Sequence, residues 1–249
     1  MDVTILGAGT AVPTARRSTA GVLVRVGETP LLFDLGPGTL ARLAEAGVSY
    51  RDLEYVFLTH LHSDHTLDLV TFLQVNESTP GWTRARPVHL TGCRGTQRFY
   101  EQLMSAYSGC APRSYALDIR ELGAERVEFG AWSIETALTR HTGASLAYRI
   151  VAEGRAVVYT GDTVESDELK RLARGADVLI CECAFPRGWS TPDHMTADAV
   201  GRVACAANAR RVVLTHLYPP AQAVDIAAQV RQEYDGEIIV AVDGTRVQA

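Results

Sequence analysis

The stretch Val56-Phe57-Leu58-Thr59-His60-Leu61-His62-Ser63-Asp64-His65 ends a short apolar run in three imidazoles and a carboxylate, spaced H-x-H-x-D-H. Imidazole nitrogen and carboxylate oxygen together suit a borderline divalent ion such as zinc. Alternation along an extended chain puts His60 and His62 on one side, and a turn at Ser63 and Asp64 brings Asp64 and His65 round to face them. So many ligands packed this tightly exceed what one ion needs, and two ions sharing the site is the natural reading. A solvated histidine run, such as a tag, is the alternative. Tags sit at termini, whereas this cluster caps a strand-like run, Tyr55 to Leu58, inside the chain.

The elements that must position these residues are legible as a series of apolar runs. Val3 to Leu6 is expected as a strand, followed by Gly7-Ala8-Gly9, which lacks the third glycine and the helix of a dinucleotide fingerprint. Gly21 to Val26 and Pro30 to Asp34 form a hairpin about Gly27-Glu28, and Thr39 to Ala46 a helix stopped by Gly47. Helical spacing covers Leu67 to Val75 and Thr96 to Tyr107, with a strand at Pro87 to Leu90 between them. Strands follow at Leu117 to Leu122, Val127 to Phe129, Trp132 to Leu138, Leu146 to Val151, Ala156 to Thr160, Asp177 to Cys183, Val212 to Thr215 and Glu237 to Val242, the last closing the chain. A helix runs from Ala197, capped by Thr196, to about Asn208, and an amphipathic helix runs from Pro219-Pro220 to about Tyr234.

Six of the seven histidines, His60, His62, His65, His141, His194 and His216, fall at strand ends or in adjoining loops. Apolar runs end in turn at Asp34, His60, Asp162 and His216, and Val56 to Leu61 recurs in outline as Val212 to Leu217. Ligands at strand ends are what α/β enzymes use, because strands fix position and leave the loops beyond free. Many strands first, then alternating strands and helices, predict an α/β fold of two packed sheets with helices outside.

Composition sets bounds on this. The chain has 249 residues, 47% hydrophobic and 21% charged, and reads as a single domain over 1–249 with no linker or low-complexity segment. The start has no signal-peptide pattern, and no apolar run reaches membrane-spanning length. Five irregularly spaced cysteines do not make a disulfide framework and fit a cytoplasmic setting; Cys181 and Cys183 read as buried packing on one strand face. A net charge of −5 argues against broad nucleic-acid binding, and Arg84, Arg86, Arg94 and Arg98 read as a solvated face. His89 reads as structural.

H-x-H-x-D-H, a distant His141, Gly161-Asp162-Thr163 and Thr215-His216 at a late strand end resemble the metallo-β-lactamase fold hydrolases over nearly the whole chain. Gly9 to Thr14, Asp34-Leu35-Gly36-Pro37-Gly38-Thr39, Asp193-His194-Met195-Thr196 and Val242-Asp243-Gly244 look like the ribonuclease Z branch. The resemblance implies a four-layer αββα sandwich holding two zinc ions per chain, with manganese or iron(II) as alternatives. It implies His60, His62 and His141 on one ion, Asp64, His65 and His216 on the other, Asp162 bridging, and Asp34 orienting a ligand histidine. A histidine at 62, where oxygen-reducing di-iron relatives favour glutamate, favours hydrolysis.

The expected chemistry is metal-assisted displacement at phosphorus, with Asp64 taking the proton of the attacking water. His194 precedes a helix start, where free N–H groups favour a phosphate oxygen, and can protonate the leaving alkoxide. In the ribonuclease Z branch a glutamate of an H-E-A-T motif orients this histidine; here the run is Cys181-Glu182-Cys183-Ala184, which keeps Glu182 without the flanking residues. The long tRNA-gripping arm of that branch has no counterpart, because Ser145 to Thr160 passes through a tight turn at Glu153-Gly154. The expected substrate is therefore a small or cyclic phosphodiester rather than RNA, with a tRNA 3′-processing endonuclease as runner-up. A lactonase, thioesterase or β-lactamase stands third, kept open by Tyr218. Trp82, Trp189 and Tyr218 are candidate pocket walls. Relatives are often homodimers.

Overall fold

Runs that are apolar at every position need a sheet covered on both faces, and the chain builds two of them. In the computed structural model, which describes residues 1–249, the chain opens with β1 (Asp2–Gly7), β2 (Gly21–Val26), β3 (Thr29–Phe33), α1 (Thr39–Glu45) and β4 (Tyr55–Phe57). Next come α2 (Ser63–Thr66), α3 (Asp68–Ser78), β5 (Val88–Cys93), α4 (Thr96–Ala106) and β6 (Leu117–Leu122). The second half has β7 (Arg126–Glu128), β8 (Trp132–Leu138), β9 (Leu146–Ala152), β10 (Arg155–Tyr159), α5 (Asp167–Leu172) and β11 (Val178–Glu182). It ends with α6 (Ala197–Ala206), β12 (Arg211–Thr215), α7 (Pro219–Gln222), α8 (Ile226–Val230), β13 (Glu237–Val240) and β14 (Arg246–Gln248).

One sheet has the order β14-β1-β2-β3-β4-β5-β6 and the other β13-β12-β11-β10-β9-β8-β7. In the first sheet β14, β1, β2 and β3 pair antiparallel, as β7 to β10 do in the second, and crossovers make the parallel part, which runs β3 to β6 in the first and β10 to β13 in the second. Period-2 alternation sorts the side chains. Val22, Val24, Phe33, Phe57, Val178 and Ile180 point between the sheets into a shared core. Leu23, Val56 and Leu90 face the helices of the first half, and Leu179, Cys181 and Leu214 those of the second. The result is the expected four-layer αββα order. No helix is long and apolar enough to cross a membrane.

Several expectations need correction. The chain is already helical at Ser63, where only a turn was expected, because the Thr66 hydroxyl donates to the His62 carbonyl (2.8 Å) and closes α2. The single C-terminal helix is two short ones, because the Asp225 carboxylate accepts from Ala228 N–H (2.9 Å) and starts α8 afresh. Helix α5 was not expected; Ser166, whose hydroxyl accepts from Leu169 N–H (3.1 Å), is its cap. The chain closes on β14 rather than β13, antiparallel to β1. The sequence echo does not mark equivalent strands: β4 is second in its parallel run, as β11 is, whereas β12 is third.

Arg84 is not on a solvated face. It is buried, and its guanidinium donates to Asn76 Oδ1 (2.7 Å) and to the carbonyls of Tyr50 (2.9 Å), Arg51 (3.2 Å) and Leu53 (3.0 Å). Those carbonyls belong to the connection leading into β4, and Nη2 alone faces all three. Arg84→Leu would leave buried acceptors without donors, so chemical denaturation should show a loss of about 2–4 kcal/mol.

Candidate metal centre

Everything at the strand ends converges on Asp34, which follows β3 in a left-handed conformation (φ 59). Its carboxylate is fully buried and accepts from Thr59 N–H (2.8 Å), the Thr59 hydroxyl (2.9 Å), the Tyr159 hydroxyl (2.9 Å) and His65 Nδ1 (2.7 Å). One carboxylate thus ties the ends of β3, β4 and β10 to α2 and turns Nε2 of His65 toward the centre. Gly36 makes this possible: a Cβ there would lie 2.0 Å from the Asp64 carbonyl oxygen. Gly161 (φ 54) sits nearly as tightly against Thr59, where an added Cβ would come within 2.7 Å of the Thr59 Cβ. Below, Tyr148 reaches across from the second sheet to donate to the Leu58 carbonyl (2.8 Å), and Leu146 N–H donates to that of Thr59 (2.8 Å). The two sheets are therefore pinned together directly beneath His60.

The expected ligands fall into two groups that share a face. His60, His62, His141 and Asp162 form one, and Asp64, His65 and His216 the other. His62 Nδ1 lies 3.1 Å from both His60 Nε2 and His141 Nε2. Asp162 Oδ2 lies 3.8 Å from His60 Nε2, 3.7 Å from His141 Nε2 and 3.3 Å from His216 Nε2, while Oδ1 lies 3.4 Å from His65 Nε2. Asp64 Oδ2 is 3.5 Å from His216 Nε2 and 3.8 Å from His65 Nε2. Ligand edges around tetrahedral zinc, with Zn–N near 2.0–2.1 Å, are about 3.3 Å. The observed spacings are of that size, and Asp162 reaches both groups.

Electrostatics point the same way. Burial opposes ionisation of Asp162, yet His216, His65 and His60 hold it well below the usual carboxylate range, and His216 and His65 do the same for Asp64. Burial depresses His65, but Asp162 and Asp34 reverse this and raise it well above an ordinary imidazole. His60 is pushed down by burial and by neighbouring His65. Such crowding of imidazoles about ionised carboxylates is a site for positive charge. His65 Nε2, His216 Nε2 and Asp162 Oδ1 are also buried with no hydrogen-bond partner, a costly state that a cation relieves. The donor set therefore fits divalent metal, and exposed His62 leaves the first group open to solvent.

His194 stands beside both groups. Its Nδ1 lies 3.1 Å from Glu182 Oε2 and 3.2 Å from Oε1, and 4.0 Å from Asp162 Oδ2. Glu182 is buried at the end of β11 and also accepts from the N–H groups of Thr163 and Met195. Burial and the nearby Asp162 raise its pKa well above the ordinary carboxyl value. Thr196 is the N-cap residue of α6, as expected, although its side chain makes no capping bond. Tyr218 packs edge-on to His194 and His216, with 5.6 Å between ring centroids in each case; burial, then Asp162 and Asp64, push its pKa up to about 12 and keep its hydroxyl a donor.

Trp82 is not at the site. It packs edge-on against Tyr50 (5.8 Å), because its loop folds onto the first-half helices. His89 is likewise elsewhere, stacked on Tyr55 (5.1 Å) and 3.2 Å from Asp118. Sequence reasoning gave no role of their own to Tyr159, Thr59 and Asp243. The last of these accepts from Ala8 N–H (3.1 Å) and Ser18 N–H (2.8 Å), which fastens the loop after β1 to the C-terminal segment. Nothing local marks Tyr159 as polar in role; only its register on β10 does. Asp34→Asn retains shape and tolerates the left-handed backbone, but loses the charge facing His65. Chelator competition should show metal affinity about 10–100-fold weaker.

A family model for the beta-lactamase superfamily domain matches residues 29–217. An uncharacterised protein of Mycobacterium leprae is 32% identical over 260 positions, covering 97% of this chain and 86% of the relative. Ribonuclease Z of Myxococcus xanthus is 28% identical over 307 positions, covering 100% of this chain and 97% of that enzyme. The crystal structure of the metallo-beta-lactamase fold protein YhfI from Bacillus subtilis superposes with a TM-score of 0.87 at 25% identity, covering 100% of this chain and 99% of that one.

Proposed function

The chain belongs to the beta-lactamase superfamily, in its ribonuclease Z-like branch, and is a metal-dependent hydrolase; from that premise we propose that it uses two zinc ions to hydrolyse small or cyclic phosphodiesters. The observation that carries the reading is the buried Glu182 holding His194 beside both ligand groups. Acyl hydrolysis has no evident use for that pair, whereas a phosphodiester with an alkoxide leaving group needs a proton donor.

When bound, two divalent ions would supply Lewis acidity toward a phosphoryl oxygen and make a water acidic at neutral pH. Asp64, ionised and 3.5 Å from His216 Nε2, is placed to accept the proton of that water. His194, with Nδ1–H donated to Glu182, presents Nε2 to the leaving oxygen. Glu182 is a positioning residue. It fixes the imidazole by accepting from it, and the Thr163 and Met195 N–H groups fix Glu182 in turn.

Substrate size follows from what surrounds the site. β9 and β10 join through Glu153 and Gly154 alone, both left-handed (φ 54 and 72), a two-residue hairpin with no room for an arm. The Myxococcus ribonuclease Z aligns over 307 positions against the 249 residues here, so it carries segments without counterpart in this chain. Tight tRNA binding needs several phosphate contacts distant from the scissile bond, and a net charge of −5 with scattered arginines supports few. All five cysteines are free, which fits a reducing cytoplasm.

The test compares specificity constants for a cyclic phosphodiester, a precursor tRNA and a lactone at two salt concentrations. The expected result is preference for the phosphodiester with weak salt dependence. Much faster, strongly salt-sensitive cleavage of the tRNA at its 3′ trailer would replace this reading with tRNA processing. Preference for the lactone would replace it with acyl hydrolysis.

A further inference from the structure

Tyr218 stands at the ligand groups, and the chemistry above leaves its hydroxyl without a task. Its ring is edge-on to His194 and to His216, 5.6 Å between centroids in each case, with 61° and 78° between planes. It therefore flanks both the candidate acid and a histidine of the second ligand group. The hydroxyl is within reach of the charges of Asp162, Asp64 and Glu182, so it is directed toward the ligand groups. Buried phenols elsewhere are used for structure: Tyr148 donates to the Leu58 carbonyl (2.8 Å), Tyr159 to Asp34 (2.9 Å) and Tyr234 to the Ala209 carbonyl (2.9 Å). The Tyr218 hydroxyl bonds to no group of the chain, and on a half-buried residue it is still open to a ligand.

The donor is fixed in place by its own segment. Tyr218 N–H donates to the Ala184 carbonyl (3.3 Å), and the Tyr218 carbonyl accepts from Ala221 N–H (3.0 Å) and Gln222 N–H (3.1 Å), where Tyr218 caps α7. Pro219 and Pro220 then stiffen the first turn. Phe185 lies flat on the ring, 5.1 Å between centroids and 13° between planes. A donor held in advance beside a reacting group stabilises developing charge without reorganising.

When water adds to a phosphodiester, negative charge grows on the non-bridging oxygens of phosphorus. Asp64 serves the water and His194 the leaving oxygen, so neither side chain answers that charge. We propose that Tyr218 is a further catalytic residue, whose hydroxyl donates a hydrogen bond to a non-bridging phosphoryl oxygen, an assignment that rests on the phosphodiester reading above. The water oxygen bonds to phosphorus as the leaving P–O bond breaks. The water proton goes to Asp64, the leaving alkoxide takes one from His194, and Tyr218 keeps its own throughout. Because the bond strengthens as charge builds, it acts on kcat more than on KM.

The experiment uses the zinc-loaded full chain, as wild type and Tyr218→Phe, which keeps the ring against Phe185 and removes only the donor. Substrates are ethylene glycol cyclic phosphate, methyl nitrophenyl phosphate, and the two phosphorothioate isomers of the latter. Tyr218→Phe is expected to keep the wild-type metal content, to change KM little, and to lower kcat about 10²–10³-fold. The loss should be alike for alkoxide and nitrophenolate leaving groups, the opposite of His194→Ala. Sulfur accepts hydrogen bonds poorly, so for one isomer the oxygen-to-sulfur rate ratio should be larger in the wild type than in Tyr218→Phe; the preference of the metals for either atom cancels in that comparison. Unchanged kcat, lost metal, a loss confined to the alkoxide substrate, or oxygen-to-sulfur ratios that are the same in both proteins would each overturn the assignment while the phosphodiester reading stands. A wild type that turns over neither diester would sink the phosphodiester reading, and the phosphoryl role of Tyr218 with it.

Discussion

Replacing Asp162 by alanine is expected to empty both ligand groups and abolish turnover, whereas His62→Ala should lower bound zinc in one group and also stop the reaction. Asp162 is the only candidate ligand that faces histidines of both groups through a carboxylate, using Oδ2 toward His60, His141 and His216 and Oδ1 toward His65. It is also the negative charge that offsets this concentration of imidazoles, so without it a dication meets mostly neutral or protonated nitrogen. Elemental analysis of purified, zinc-replete protein provides the count: two metals per chain in the wild type and far fewer in Asp162→Ala. At most one metal per wild-type chain would refute the two-ion reading, whatever the activity. Metal binding and folding are linked, so thermal melts with and without chelator should separate less in the variant than in the wild type.

His194→Ala is expected to keep both metals and still lose about 10²–10⁴-fold in rate on substrates with alkoxide leaving groups, the range for a positioned general acid. With a nitrophenolate ester, whose leaving group departs without a proton, the loss should shrink to a small factor. Glu182→Gln should reproduce that dependence on leaving group in weaker form, because the amide still occupies the buried position but no longer accepts as a carboxylate. His194 Nδ1 lies 4.0 Å from Asp162 Oδ2, and His194 forms a third potential ligand set with Asp162 and His216. The alternative role as a metal ligand is thus measurable: an equal loss on both leaving groups together with lost metal would assign His194 to the metal centre.

Arg84→Leu and Asp34→Asn probe support rather than chemistry, and they separate what is local from what is not. Arg84 reads in sequence as one of four scattered arginines, and its burial depends on carbonyls contributed from a different connection. Asp34, by contrast, stands out at the end of an apolar run, and only its partners had to come from the fold.

The sequence by itself determined the kind of site. H-x-H-x-D-H, Gly161-Asp162-Thr163 and Thr215-His216 name their ligand types through side-chain chemistry, and apolar runs ending in those residues place them at strand ends. It also determined the layering, since strands apolar on both faces must be covered on both. Tertiary structure alone decided which groups meet. That Asp162 reaches both groups depends on the second sheet standing against the first, where Tyr148 and Leu146 of β9 pin it to the segment after β4. That Glu182 touches His194 without the expected flanking residues depends on β11 ending beside the loop before α6. That Trp189 stacks on Phe185, which neighbours His194, while Trp82 packs on Tyr50 depends on where each loop lies. The physical reason is common to all: residue type and period are local properties of a chain, whereas distances between residues far apart in sequence are set by how the two sheets pack.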